Sequence, residues 1–237
     1  MRALRISLII FGVLVVLLIV ADRVAVWVAE GEVASKARDS LGLSEEPSVS
    51  IEGFPFLTQM AGQHLDKVQL GVDSYQAQVD GQSITLHDLD IEVRDTELEG
   101  FSSAVASEAD GTGLIDYEEM TRAYGELLGS EANGFGATFE YAGDNLLRVN
   151  LQAAVMGQNV DVGDVTGELV VEGDQVRMEI IEENVPDSIP GGDAMVEDQL
   201  GQGRTISGLP DGLELESLVP GEDGVTVHIR GTDVGLG

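Results

Sequence analysis

The residues best spaced for chemistry form one run, Glu108-Ala109-Asp110-Gly111-Thr112-Gly113-Leu114-Ile115-Asp116-Tyr117-Glu118-Glu119. It sets oxygen donors at positions 1, 3, 5, 9 and 12, with glycine at 6 and isoleucine at 8, which is the donor spacing of a calcium-binding loop. Glu108, Asp110, Thr112, Asp116 and Glu119 would be the ligands. Two features count against it. Position 1 is Glu where such a loop takes the shorter Asp, and Gly100 to Ser107 lacks the pattern of an entering helix. The favoured reading is a Gly-rich turn running into a helix, with Asp116 as cap and Glu119 three residues on completing a capping box. No metal is therefore expected, and calcium stands as the alternative.

Little else points to catalysis. His64, His87 and His228 have no His or carboxylate partner at metal spacing, and His228 alternates with Val227 and Ile229, so it should face solvent. The pairs Asp88/Asp90 and Asp161/Asp164 are what chance supplies in a chain with 43 acids. The absence of cysteine excludes disulfides, a thiol nucleophile and thiolate metal sites. Frames of the GxSxG, P-loop or GxGxxG type are missing, so neither an enzyme nor a cofactor is expected. With 12 Lys+Arg against 43 Asp+Glu the formal net charge is -31, which excludes a nucleic-acid binder that works by neutralising phosphates.

Gly53-Phe54-Pro55-Phe56-Leu57-Thr58-Gln59 differs in kind. It gathers two of the six phenylalanines around a proline directly after a strand. Phe54, Pro55, Phe56 and Leu57 would form either a hydrophobic corner packing the strand end against a helix or the wall of an apolar pocket.

The elements that must position these residues follow from hydrophobic period. Arg2 and Arg5 precede the apolar run Ile6 to Ala21, 16 residues closed by Asp22 and Arg23. At 1.5 Å per residue it reaches roughly 24 Å, short of a roughly 30 Å hydrocarbon core, so residues 1–21 read as a signal peptide or a short signal anchor. Bulky Ile19 at -3 makes cleavage after Ala21 poor, and the arginine flank predicts that the rest of the chain lies outside the cytoplasmic membrane, tethered through residues 6–21, or released if the signal is cleaved. Residues 22–44 continue as an amphipathic helix, its apolar positions Val24, Trp27, Val28, Ala34, Ala37 and Leu41 stepping by three and four to Gly42. Residues 45–237 are expected to form a single domain.

In that domain the period changes to two. Strands are predicted around Val49 to Ile51, Val68 to Val72, Ile84 to Val93, Leu147 to Val155, Val165 to Val171, Val176 to Ile180, Leu213 to Leu215 and Val225 to Ile229. Parity slips between Leu86 and Leu89, which calls for a bulge near His87 and Asp88. Tyr117, Met120, Tyr124 and Leu127 make a helical stripe, and a short helical piece is expected around Met195 to Leu200. The sum is an α+β fold: a long curved antiparallel sheet wrapped around one or two helices, similar to tubular lipid-binding folds, behind an N-terminal membrane helix.

The order of parts resembles the LmeA family of actinobacterial phospholipid-binding envelope proteins. The residues that carry the resemblance are the N-terminal apolar segment, the helix ending in Leu41-Gly42-Leu43, and Val49 to Ile51 leading into Gly53-Phe54-Pro55-Phe56-Leu57. Asp66-Lys67-Val68, Ile115-Asp116-Tyr117, Leu209-Pro210-Asp211-Gly212-Leu213 and Gly224-Val225 follow in order. The resemblance implies an exported, membrane-associated protein that binds phospholipid and supports cell-envelope lipid or lipoglycan metabolism without performing chemistry. It makes phospholipid and the cytoplasmic membrane the expected partners and Phe54 to Leu57 the lipid-binding residues. A calcium-binding module and a purely structural envelope module are the alternatives.

Overall fold

The computed structural model describes residues 2–79, 82–99, 103–131, 135–155, 158–185, 200–201, 203–207, 209 and 212–236. The chain forms two compact units. The first comprises Met1–Val72, Ile91–Ala109 and Thr232–Gly237, and the second Asp73–Asp90 with Asp110–Gly231.

One helix, α1 (Arg2–Leu41), carries both the apolar run and the amphipathic stretch. It stops where the sequence places the stop. Gly42 takes φ +65° and the Leu43 N–H donates to the Arg38 carbonyl at 2.9 Å, a Schellman closure that a residue with a Cβ would resist. Then come β1 (Ser48–Glu52), the short helix α2 (Phe56–Ala61), and the long strands β2 (His64–Val79), β3 (Gln82–Glu99) and β4 (Ser103–Ile115). Helix α3 (Tyr117–Glu131) precedes β5 (Phe135–Gly143), β6 (Leu146–Val155), β7 (Gln158–Glu172) and β8 (Gln175–Asn184). The chain closes with β9 (Arg204–Ser207), β10 (Leu213–Pro220) and β11 (Val225–Leu236).

Among the described residues the strands make one sheet in the order β10-β11-β4-β3-β2-β9-β8-β7-β6-β5, with β1 paired to β2. The class is α+β with an antiparallel sheet, as the alternation predicts. Strands β5 to β8 are a meander. Its hairpins carry the expected turn residues: Asp144 and Asn145, both at positive φ, join β5 to β6, and Gly173-Asp174 joins β7 to β8. Short β9 links the meander to β2 through Val79↔Ile206 on one side and Val176↔Arg204 on the other.

The parity slip in β3 is real, and it recurs. Asp88 sits at φ +49° between buried Leu86 and buried Leu89. Asp95 at φ +49° does the same between Val93 and Thr96, and Asp233 at φ +53° between Gly231 and Val234. In each case one left-handed residue inserted into the strand returns the next side chain to the buried face. Aspartate is among the few residues other than glycine that visit this region at modest cost.

The run Glu108 to Ile115 corrects the sequence reading of a Gly-rich turn: it is the second half of β4. Its buried positions are Ala109, Gly111, Gly113 and Ile115, too small and too glycine-rich to register as a strand. A Cβ on Gly111 would stand 2.6 Å from Ile229 Cγ1, so the glycine makes room for the Ile229 side chain. The Asp116 cap forms, with the Glu119 N–H donating to Asp116 Oδ1 at 2.7 Å, whereas the Glu119 carboxylate turns to the Thr85 N–H and Arg122 rather than back to the cap. The helical piece expected around Met195 to Leu200 lies, apart from Leu200, outside the described residues.

Candidate functional site

The second unit holds an apolar cavity of about 200 Å³. Its walls are the inward positions of strands whose alternation is plain in the sequence: Ile84 and Leu86 on β3, Leu169 on β7, Met178 on β8, Leu215 and Leu218 on β10, Val225 and Val227 on β11. Helix α3 covers it with Met120, Ala123 and Tyr124. The Tyr124 ring meets Phe139 of β5 edge to face at 5.3 Å and 84°, a favoured arrangement for two partly buried rings. Small Ala77 and Ala123 leave space that larger residues would fill.

Two cations, Arg177 and Arg204, are among the residues that line this cavity. Arg204 pairs across the ladder with Val176, so both side chains stand on the same face of the sheet, and both line the cavity with Ile206. Its guanidinium hydrogen-bonds the Tyr124 side chain. Burial pushes the Tyr124 hydroxyl above its ordinary pKa, and Arg204 offsets part of that rise, so Tyr124 stays protonated at neutral pH. Arg177, the next residue on β8, also borders the cavity, with its guanidinium engaged by Glu172 at 3.0 Å and Glu179 at 3.8 Å. Glu119 fixes α3 to β3: it accepts from the Thr85 N–H at 2.6 Å and pairs with Arg122 at 2.6 Å. The Arg122 pair, with the Thr85 hydrogen bond, outweighs desolvation and holds the carboxyl at about 2 against an ordinary 4.5.

Phe54, Pro55, Phe56 and Leu57 are in the first unit and are not among the cavity's lining residues. The structure divides them. Phe56, 4% exposed, packs with Val26, Ile51 and Leu65, whereas Phe54 and Leu57 are exposed. Asp22 of α1 is buried against them, accepting from the Leu57 N–H at 2.9 Å and from Arg23 at 2.6 Å, while Arg23 lies 5.3 Å over the Phe54 ring.

The calcium ligand set is not assembled. Glu108, Asp110 and Thr112 are strung along a strand that spans about 3.3 Å per residue, so they do not converge on a point. Glu108 faces Arg94, Asp110 is 3.2 Å from Arg230, Asp116 caps α3 and Glu119 holds Thr85 and Arg122. Two of the three histidines lie near carboxylates, without forming a metal-holding group among the described residues. His64 is 3.6 Å from Asp66 and 3.7 Å from Asp95, and His87 is 3.6 Å from Asp116. Asp95 comes from a distant strand, which no local spacing reveals. Among the described residues no group of three or more His, Cys, Asp or Glu side chains could hold a metal.

The family model for LmeA-like phospholipid-binding proteins matches residues 20–230. The chain belongs to that family. No curated protein and no solved structure matches it. The match runs through both units, so the cavity and the Phe54 to Leu57 corner both fall within the family's extent. Sequence reasoning reached the family through that corner but missed Arg204, Ala123 and Phe139 as cavity residues. The Met120 and Tyr124 stripe on α3 marks a helical face in the sequence but not a cavity.

Proposed function

We propose that this LmeA-like protein carries phospholipid by taking an acyl chain into the cavity of the second unit, with the polar end of the lipid toward Arg204 and Tyr124. The observation that carries the reading is the cavity itself: about 200 Å³ walled almost wholly by aliphatic and aromatic side chains in a member of a phospholipid-binding family. Each methylene that leaves water for such a lining contributes about 0.8 kcal/mol, so burying six would contribute about 5 kcal/mol before the costs of ordering. The role is binding, with no bond made or broken by the protein. Residues 6–21 of α1 tether it to the cytoplasmic membrane with the two units outside, where it serves cell-envelope lipid or lipoglycan metabolism. The apolar helix supports the tether: its residues 6–20 are uncharged and all exposed.

The test is lipid extraction from protein purified in mild detergent, followed by mass spectrometry and phosphate analysis. Near-stoichiometric phospholipid is expected. Protein that is folded, monodisperse and free of lipid after several lipid classes have been offered would refute a carrier role.

A further inference from the structure

The tether has a length problem, and the structure holds its solution. Ile6 to Ala21 spans roughly 24 Å, about 6 Å less than a typical hydrocarbon core. Asp22 and Arg23 would ordinarily end the apolar run. Asp22, however, is 2% exposed, its carboxylate satisfied by the Leu57 N–H and by Arg23, so it presents no charge to the surroundings. Beyond it, Val24, Trp27 and Val28 recur at helical spacing and are all exposed, Trp27 at 74%. The opposite face of this stretch is already used: Val26, Ala25 and Ala29 pack against the first unit's core. Beside it, α2 and its approach expose Phe54 at 62% together with Leu57 and Met60. Glu30 and Glu32 then begin the polar part of the helix.

We infer that the outer hydrocarbon boundary lies near Val28 and that Val24, Trp27, Val28, Phe54, Leu57 and Met60 form a collar sunk in the outer leaflet. Ile6 to Val28 is 23 residues and reaches about 34 Å, enough to cross with modest tilt. Arg23, over the Phe54 ring, enters this layer paired with Asp22, so the two charges are carried together. Trp27 takes the interfacial position that indole rings favour. A chain of net charge -31 gains nothing from anionic head groups, so apolar contact is what holds the first unit to the bilayer. Phe54 and Leu57 thereby meet acyl chains at the membrane. The inference rests on the tether proposed above and adds the depth at which the first unit sits.

Trp27 is the single tryptophan, so intrinsic fluorescence reports on it alone. The full-length chain is reconstituted in phosphatidylcholine vesicles containing lipids brominated at shallow or deep acyl positions. The collar predicts blue-shifted emission, stronger quenching by shallow than by deep bromines, and weak quenching by aqueous iodide. The double variant Phe54→Ser/Leu57→Ser, altered only at exposed positions, should raise iodide quenching at least two-fold while circular dichroism is unchanged. Protein that floats with the vesicles but shows water-like emission and full iodide quenching would overturn the collar and leave the tether standing. Protein that does not float would remove both. Shielding from iodide without any bromine quenching would mean that another protein surface covers this face, which also overturns the inference.

Discussion

Phe54 and Phe56 are two positions apart in one apolar corner, yet only Phe56 is enclosed, against Val26, Ile51 and Leu65. Phe56→Ala should therefore cost about 3 to 5 kcal/mol in urea denaturation, the range for emptying a packed aromatic site, while Phe54→Ser stays within about 0.5 kcal/mol of wild type. A Phe56 variant of unchanged stability would mean that its ring faces open space. Arg204 makes a different demand. If its guanidinium receives the polar end of the lipid, Arg204→Gln should lower uptake of an anionic phospholipid such as phosphatidylglycerol by about tenfold relative to phosphatidylcholine, about 1.4 kcal/mol. Equal loss for both lipids in a competition assay would assign Arg204 to structure alone.

At the scale of elements, α3 is tied to the sheet by Glu119, whose carboxyl is held at about 2 by Arg122 and the Thr85 N–H against desolvation. A folded-state pKa below the unfolded value stabilises the fold above about 4.5, and that contribution is lost as pH falls through about 2. Glu119→Gln should therefore be less stable than wild type at pH 6, with the gap closing as pH falls from about 4.5 toward 2. Denaturation midpoints across that window check it, and a constant gap would contradict it. The elements legible in the sequence were those whose period was written in large side chains. Strands β6, β7, β8 and β11, the α3 stripe and the bulge at Asp88 could all be read because valine, leucine and isoleucine mark one face. Strand β4 was not legible, since its buried face is Ala106, Ala109, Gly111 and Gly113, and residues this small carry almost no hydrophobic period. Short β9 offers too few residues for any pattern, and α2 hides behind Pro55. The Phe54 to Leu57 corner was legible because it is local in sequence, but it does not line the cavity. The cavity draws on β2, β3, the end of β4, α3, β5 and β7 to β11, a convergence set by pairing register and by where alanine replaces something larger.

For the whole molecule, the surface carries the consequence of 43 acids against 12 bases. Most of the ion pairs involve half-exposed side chains and contribute little each, so the net repulsion is not cancelled locally. Raising NaCl from 0.1 M to 1 M shortens the Debye length from about 10 Å to about 3 Å, and the melting temperature should rise with it. A flat or falling trend would show that the acids are already compensated. Beneath that surface the central claim is that one apolar cavity houses a phospholipid chain, and filling the cavity tests this most directly. Ala123→Phe, with Ala77→Phe as an independent second variant, places a ring in the roughly 200 Å³ now open. The measurement is the phospholipid-to-protein ratio after purification, made on variants whose circular dichroism and melting show them folded. Near-stoichiometric lipid is expected on the wild type and almost none on either variant. Lipid retained at the wild-type ratio by both folded variants would contradict the central claim and place the ligand outside this cavity.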